Sequence, residues 1–331
     1  MTSKAVKRYR LWFFLGAAAV AALVLASVFG AVSLAWHQVW DFQSPDGRIF
    51  FQLRVPRALV AFLAGAGLAM AGLVFQVVFL NALATPYTLG VSSGASCGAA
   101  VVICIGTLPG WLAHGGVAMG ALLGAAITVC LILWFGRTKL GHQRHAMLLA
   151  GVAISFFFSS LLLLIQYLAN FYQSFQIIRW LMGGISVAGY REVLTLLPVI
   201  LFGFVWLAAG SSKLNMLLLG DDLAHTRGLA VMRTKNQFVV VASLMVGVIV
   251  SITGPIGFVG MIVPHICRLF WGTQHRFLVP AVSLVGGTAL VLCDLVARLV
   301  LAPNEMPVGV ITALIGAPFF FFLLLNRPYR L

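Results

Sequence analysis

The sequence predicts an all-α, polytopic membrane protein of about ten transmembrane helices. Of its 331 residues, 62% are hydrophobic and only 8% are charged, whereas about a quarter are charged in a water-soluble domain. The apolar residues also gather into runs that meet the bilayer requirement of roughly 20 residues, with about 17 tolerated. Finally, the basic residues fall unevenly on the two sides of those runs. In lipid each spanning segment must satisfy its own backbone N–H and C=O groups, which selects helices.

In chain order the runs are 11–36, 58–80, 89–106, 113–135, 146–169, 193–210, 237–253, 255–271, 277–300 and 308–325. The first follows Lys4, Lys7, Arg8 and Arg10 as a signal peptide would. Its uncharged length and the membrane runs beyond it make it a retained helix. Gln52 to Arg57 opens the second, with Pro56 suited to a first helical turn. Gly116, Gly120 and Gly124 put three glycines on one face of the fourth, a spacing expected to serve packing within the chain. The runs at 89–106, 237–253 and 255–271 are short or interrupted by Gly254, Pro255 and Pro264. Fifteen Lys and Arg fall on the side of both termini, the 136–145 loop, the 211–236 loop and the Arg268–Arg276 turn, against six on the other. Both termini are therefore expected in the cytoplasm. The net charge of +14 reads as membrane topology, and no nucleic-acid partner is expected. The whole chain, 1–331, reads as a single transmembrane domain, because no loop is long enough to fold alone.

The residues that could carry chemistry are few. There is no G-x-x-x-x-G-K-[ST] phosphate loop, so any ATP that drives this protein binds to another chain. Asp294 is the only acidic residue inside an expected span, and Arg298 at i+4 suits a structural ion pair. That scarcity of carboxylates argues against ion-coupled transport. His142 and His145 sit among Arg137, Lys139 and Arg144 and read as a hydrated turn. His265 reads as a packing residue, with no metal site expected. Cys97, Cys104, Cys130, Cys267 and Cys293 read as buried, reduced thiols.

Three segments carry functional expectations. In the 211–236 loop, Gly220, Asp221 and Asp222 precede Leu223, and Arg227 and Gly228 follow, giving a short helix with acids at its start and a glycine terminator. It is either a solvated connector or a knob for a cytoplasmic partner. Arg54 and Arg57 lie at the opposite membrane face, where arginines snorkel or present charge to an acidic partner. Phe171, Tyr172, Phe175, Trp180 and Met182 lie near the outer mouth and suit either a pathway wall for a flat porphyrin or interfacial packing.

On these residues the sequence resembles the FecCD-type permease family, the membrane subunits of binding-protein-dependent importers for iron-siderophores, haem and vitamin B12. The resemblance is carried by Arg54-Val55-Pro56-Arg57, Gly65 to Gln76, Asn81 to Pro86, Leu89 to Gly94, Trp180 to Gly184 and Leu219 to Gly228. It continues through Gly254 to His265 with Arg268, Asp294 to Arg298, Glu305 to Gly309 and Gly316 to Pro318. Thr85 stands where relatives often have an acid, and Asp221-Asp222 replaces a glutamate pattern. The resemblance implies a type II ABC importer permease, a transport subunit of the bacterial inner membrane rather than an enzyme. It implies a homodimer with a second copy of this chain, two cytoplasmic ATPase subunits that alone bind ATP, and a periplasmic substrate-binding protein. It places coupling to the ATPase on Leu217, Leu218, Gly220, Asp221, Asp222, Leu223, Arg227 and Gly228, and binding-protein docking on Arg54, Arg57 and Arg298. Haem is the expected cargo, with ferric siderophore and vitamin B12 as alternatives and no permanently bound cofactor.

Overall fold

The computed structural model describes residues 3–30, 32–106, 115–136, 138 and 146–326. The elements are helices: α1 (Ser3–Val28), α2 (Pro45–Arg48), α3 (Val55–Val78), α4 (Val91–Ile105), α5 (Gly116–Gly136), α6 (Ala146–Leu168) and α7 (Phe171–Leu181). They continue as α8 (Arg191–Ala209), α9 (Ser211–Leu217), α10 (Asp221–Thr226), α11 (Val231–Thr253), α12 (Val259–Trp271), α13 (His275–Leu299) and α14 (Val308–Asn326). Among the described residues seven helical spans are long and apolar enough to cross a membrane. Three shorter apolar helices, Val91–Ile105, Val259–Trp271 and Val308–Phe322, complete the set of about ten.

The axis of the bundle is α3, buried along most of its length and packed by α13, α11, α12 and α8. Its small residues explain that position. Gly65 lies against the Gly286 backbone of α13, and Gly72 against that of Gly260 in α12. A Cβ at either position would collide with main chain, so these crossings require glycine. The glycine face of α5 is used in the same way: Gly120 and Gly124 meet Gly98 and Gly94 of α4, which makes the contact intramolecular, as expected.

Helix boundaries depart from the sequence expectation where polar or broken segments are themselves helical. The first helix ends at Val28 rather than near residue 36. Helical backbone resumes at Pro45 and runs through one π turn, Ile49–Arg54, into α3. Pro56 does occupy the first turn of α3, but Arg54 precedes it within continuous helix rather than in a loop. The 171–182 stretch forms α7, capped by a reciprocal pair in which the Asn170 side chain accepts from Gln173 N–H and Gln173 Oε1 from Asn170 N–H. At the other break, Gly254 (φ 66°) and Phe258 (φ 66°) bend the chain between α11 and α12. The segment after α7 fills that bend: Gly184 N–H donates to Thr253 O at 2.8 Å and Gly309 N–H to Gly183 O at 3.2 Å.

Candidate functional site

The two ends of α13 mark two candidate regions about 35 Å apart, given a rise of 1.5 Å per residue over its length. At one end α13 carries Asp294 and Arg298; at the other it meets α9, which leads into the short helix α10.

At the first end, Asp294 is almost completely buried and holds two arginines. Arg298 Nε lies 3.1 Å from Asp294 Oδ2, the i+4 pair expected from the sequence. From α3, Arg57 Nη2 reaches Asp294 Oδ1 at 3.0 Å. Arg57 Nη1 then pairs with Glu305 at 2.7 Å in the loop before α14. Two arginines and two carboxylates thus form a network of balanced charge, the condition under which buried charge is tolerated. The membership of Arg57 and Glu305 carries no local signal in the sequence, because 248 residues separate them.

The structure places the three expected docking arginines unequally. Arg54 is buried, its guanidinium donating to Val28 O and Val32 O at the end of α1. Arg298 is 3% exposed and donates to Ala26 O at 3.0 Å. Neither guanidinium snorkels, and neither stands on the surface of the single chain. Arg57 alone reaches a crevice of about 400 Å³, which it shares with Gln176, Arg179, Trp180, Thr253 and Glu305. Arg179, at the end of α7, is exposed there.

The aromatic segment divides in the same way. Phe171, Tyr172 and Phe175 project from α7 and are largely exposed. Trp180 packs against the core and also lines the crevice. Met182 lies instead in an open apolar groove beside α14, with Pro255 and Leu314.

At the other end α10 forms as the sequence predicts. Asp221 and Asp222 occupy its first turn. Gly228 (φ 82°) closes it, with Leu229 N–H donating to Ala224 O at 3.1 Å. Asp221 is tied back to the bundle by Lys235 Nζ at 2.7 Å. Leu223 and Arg227 face outward, whereas Leu217 is buried in the core and Leu218 is half-buried. Gly220 (φ 95°) turns the chain between α9 and α10.

His142 and His145 lie outside the described residues. Among those described, no three His, Cys, Asp or Glu side chains converge as metal ligands would. Cys97 and Cys267 are buried and all five cysteines are free, but Cys130 is exposed on the apolar surface of α5, against the expectation of a uniformly buried set.

The FecCD transport family model matches residues 18–326. The vitamin B12 import system permease protein BtuC of Salmonella typhimurium (strain LT2) is 42% identical over 297 residues, covering 88% of each chain. BtuC of Shigella boydii serotype 18 is 40% identical over the same length and coverage. A solved structure described as an inward-facing conformation of a metal-chelate type ABC transporter superposes with a TM-score of 0.86 at 32% identity, over 96% of this chain and 99% of that one. PsaBC from Streptococcus pneumoniae shares the fold at a TM-score of 0.54 and 16% identity, over 83% and 92% of the two chains. The buried charge network, the glycine-lined α3 axis and the α9–α10 connector therefore sit in a multi-pass ABC importer permease that belongs to the FecCD transport family.

Proposed function

We propose that this chain is the membrane pathway of an importer for a corrinoid of the vitamin B12 type. It works as a pair of identical permeases with two ATPase subunits in the cytoplasm and a substrate-binding protein in the periplasm. The observation that carries the cargo assignment is the 42% identity, over 88% of both chains, to permeases named for vitamin B12. In this reading both termini are cytoplasmic, α10 contacts the ATPase, and the Arg57 crevice faces the periplasm of a bacterial inner membrane. ATP is hydrolysed only by the partner subunits. The Arg57, Arg54 and Arg298 region receives the binding protein, with Arg57 at the surface and the other two holding its support in place.

Haem is the second reading, favoured by one specific feature. The crevice combines Trp180 with two arginines, Arg57 and Arg179, and a flat ring with anionic side groups suits aromatic and guanidinium surfaces together. Uptake into proteoliposomes containing permease, ATPase and binding protein, with ATP and no ion gradient, separates the two. ATP-dependent accumulation of cobalamin but not haem supports the first reading, and the reverse supports the second. Uptake that requires an ion gradient and no ATP would overturn both.

A further inference from the structure

We infer that the corner where α12 turns into α13 is a binding site for the phosphate group of an anionic membrane lipid. The assignment begins with an imbalance of hydrogen-bonding groups. Within eight residues of chain, Arg268 Nη2, Trp271 Nε1 and His275 Nε2 are all buried with no partner among the described residues. A buried N–H without an acceptor is costly, and a buried guanidinium more so. Arg268 forms no ion pair among those residues either, the described pairs being centred on Asp294, Glu305 and Asp221.

The three groups are held in place from several sides. Gly272 (φ 74°) turns the chain sharply between the two helices. Asn215 Oδ1 accepts from the backbone N–H of His275 at 3.0 Å and lies 2.7 Å from its Nδ1. Because that amide oxygen only accepts, Nδ1 carries the ring proton; this fixes the ring and makes Nε2 an acceptor, so the donors that the corner offers a ligand are Arg268 and Trp271. The Trp271 ring is braced by Trp12 of α1, with centroids 5.9 Å apart. Arg268 is near enough for its charge to act on His275.

A phosphate fits this corner better than water does. Water can satisfy the N–H groups, but a phosphate also neutralises Arg268 and offers several oxygens at once. The lipid source is indicated by what borders the corner. Leu269 and Phe270, between Arg268 and Trp271, are exposed apolar side chains that suit acyl chains. The exposed Arg276 and Lys213 add positive charge around it, and α1 carries Lys4, Lys7, Arg8 and Arg10 just before Trp12. Basic pockets between transmembrane helices at a membrane face are suited to anionic headgroups.

The test uses the full chain in mild detergent, with bound lipid measured by native mass spectrometry after exchange into mixtures of phosphatidylcholine and phosphatidylglycerol. The wild-type chain should retain phosphatidylglycerol selectively. R268Q should retain about fivefold less, the scale of one basic residue at a membrane surface, and W271F should retain less than wild type. Equal retention of the two lipids by wild type would overturn the site whatever the variants do. So would undiminished phosphatidylglycerol on both R268Q and W271F. Displacement of the lipid by millimolar inorganic phosphate would overturn the lipid assignment in favour of a free anion.

Discussion

Arg57 and Asp294, 237 residues apart in the chain, meet at 3.0 Å and join α3 to α13 at the same end of the bundle as Glu305. Asp294 is almost fully buried between two arginines, whereas Glu305 is about half exposed. The two carboxylates should therefore differ sharply in what they contribute. Removing one partner of a buried pair costs about 3–5 kcal/mol, because the remaining charge is left uncompensated. An exposed pair is worth about 0–1 kcal/mol. D294N should accordingly lower the thermal unfolding temperature of the detergent-purified chain strongly, and E305Q only slightly. Similar shifts for the two variants would show that Asp294 is not the centre of the network.

Where α3 crosses α12, Gly72 faces the main chain of Gly260 and no side chain can yield to make room. Overpacking a tight core costs about 1–3 kcal/mol, and here the obstacle is backbone. G72L should reduce the yield of monodisperse protein and its melting temperature. G16L is the matched control, since nothing lies within 4 Å of a Cβ at Gly16. Equal behaviour of the two variants in size-exclusion and melting assays would contradict the close crossing.

The helices and their packing faces were largely legible in the sequence. Long uncharged runs announce spanning helices directly, and the 116, 120, 124 glycine spacing announces a packing face. Less legible was anything that depends on distant segments meeting. Arg298 found Asp294 because one helical turn separates them, but Arg57 and Glu305 carry no local mark of their partners. Arg54 reads as an interfacial group because it stands with Arg57 just before the apolar run 58–80. In the structure two carbonyls at the end of α1, Val28 and Val32, draw it inward. The α7 helix has no clear sequence signal because its aromatic and polar residues mimic a membrane-surface loop, and its start depends on the Asn170–Gln173 cap.

The α10 helix supplies a prediction about assembly. Leu223 is exposed at its centre while Leu217 belongs to the core, so the two leucines separate contact from folding. L223D should leave the chain folded but weaken its association with the ATPase subunits, because an unpaired charge in an apolar groove is costly. L217D should instead destabilise the chain itself. Co-purification with the ATPase and melting temperature, measured on both variants, distinguish the effects. Normal ATPase binding by folded L223D would remove Leu223 from the interface. The purified chain without partners should show no ATP hydrolysis.

The proposed docking region yields a prediction in which charge and burial act in opposite directions. Arg179 is exposed at the crevice mouth and forms no ion pair among the described residues, whereas Arg54 is buried and spends its donors on backbone carbonyls. A rim charge chiefly sets the rate of encounter with an oppositely charged partner, and salt screens it over about 8–10 Å. A buried arginine contributes to the fold, and replacing it leaves carbonyls without donors. R179E should therefore slow association with an acidic binding protein at low ionic strength, with the difference shrinking as salt rises and the melting temperature unchanged. R54Q should lower the melting temperature while leaving the salt dependence of association as in wild type. Surface plasmon resonance at two ionic strengths, paired with thermal unfolding, reads both quantities. An R179E chain that associates at the wild-type rate in low salt would mean that binding-protein docking does not use the crevice. A thermally intact R54Q chain with slowed association would return Arg54 to the docking surface, because only a guanidinium reachable by the partner can alter encounter without altering the fold.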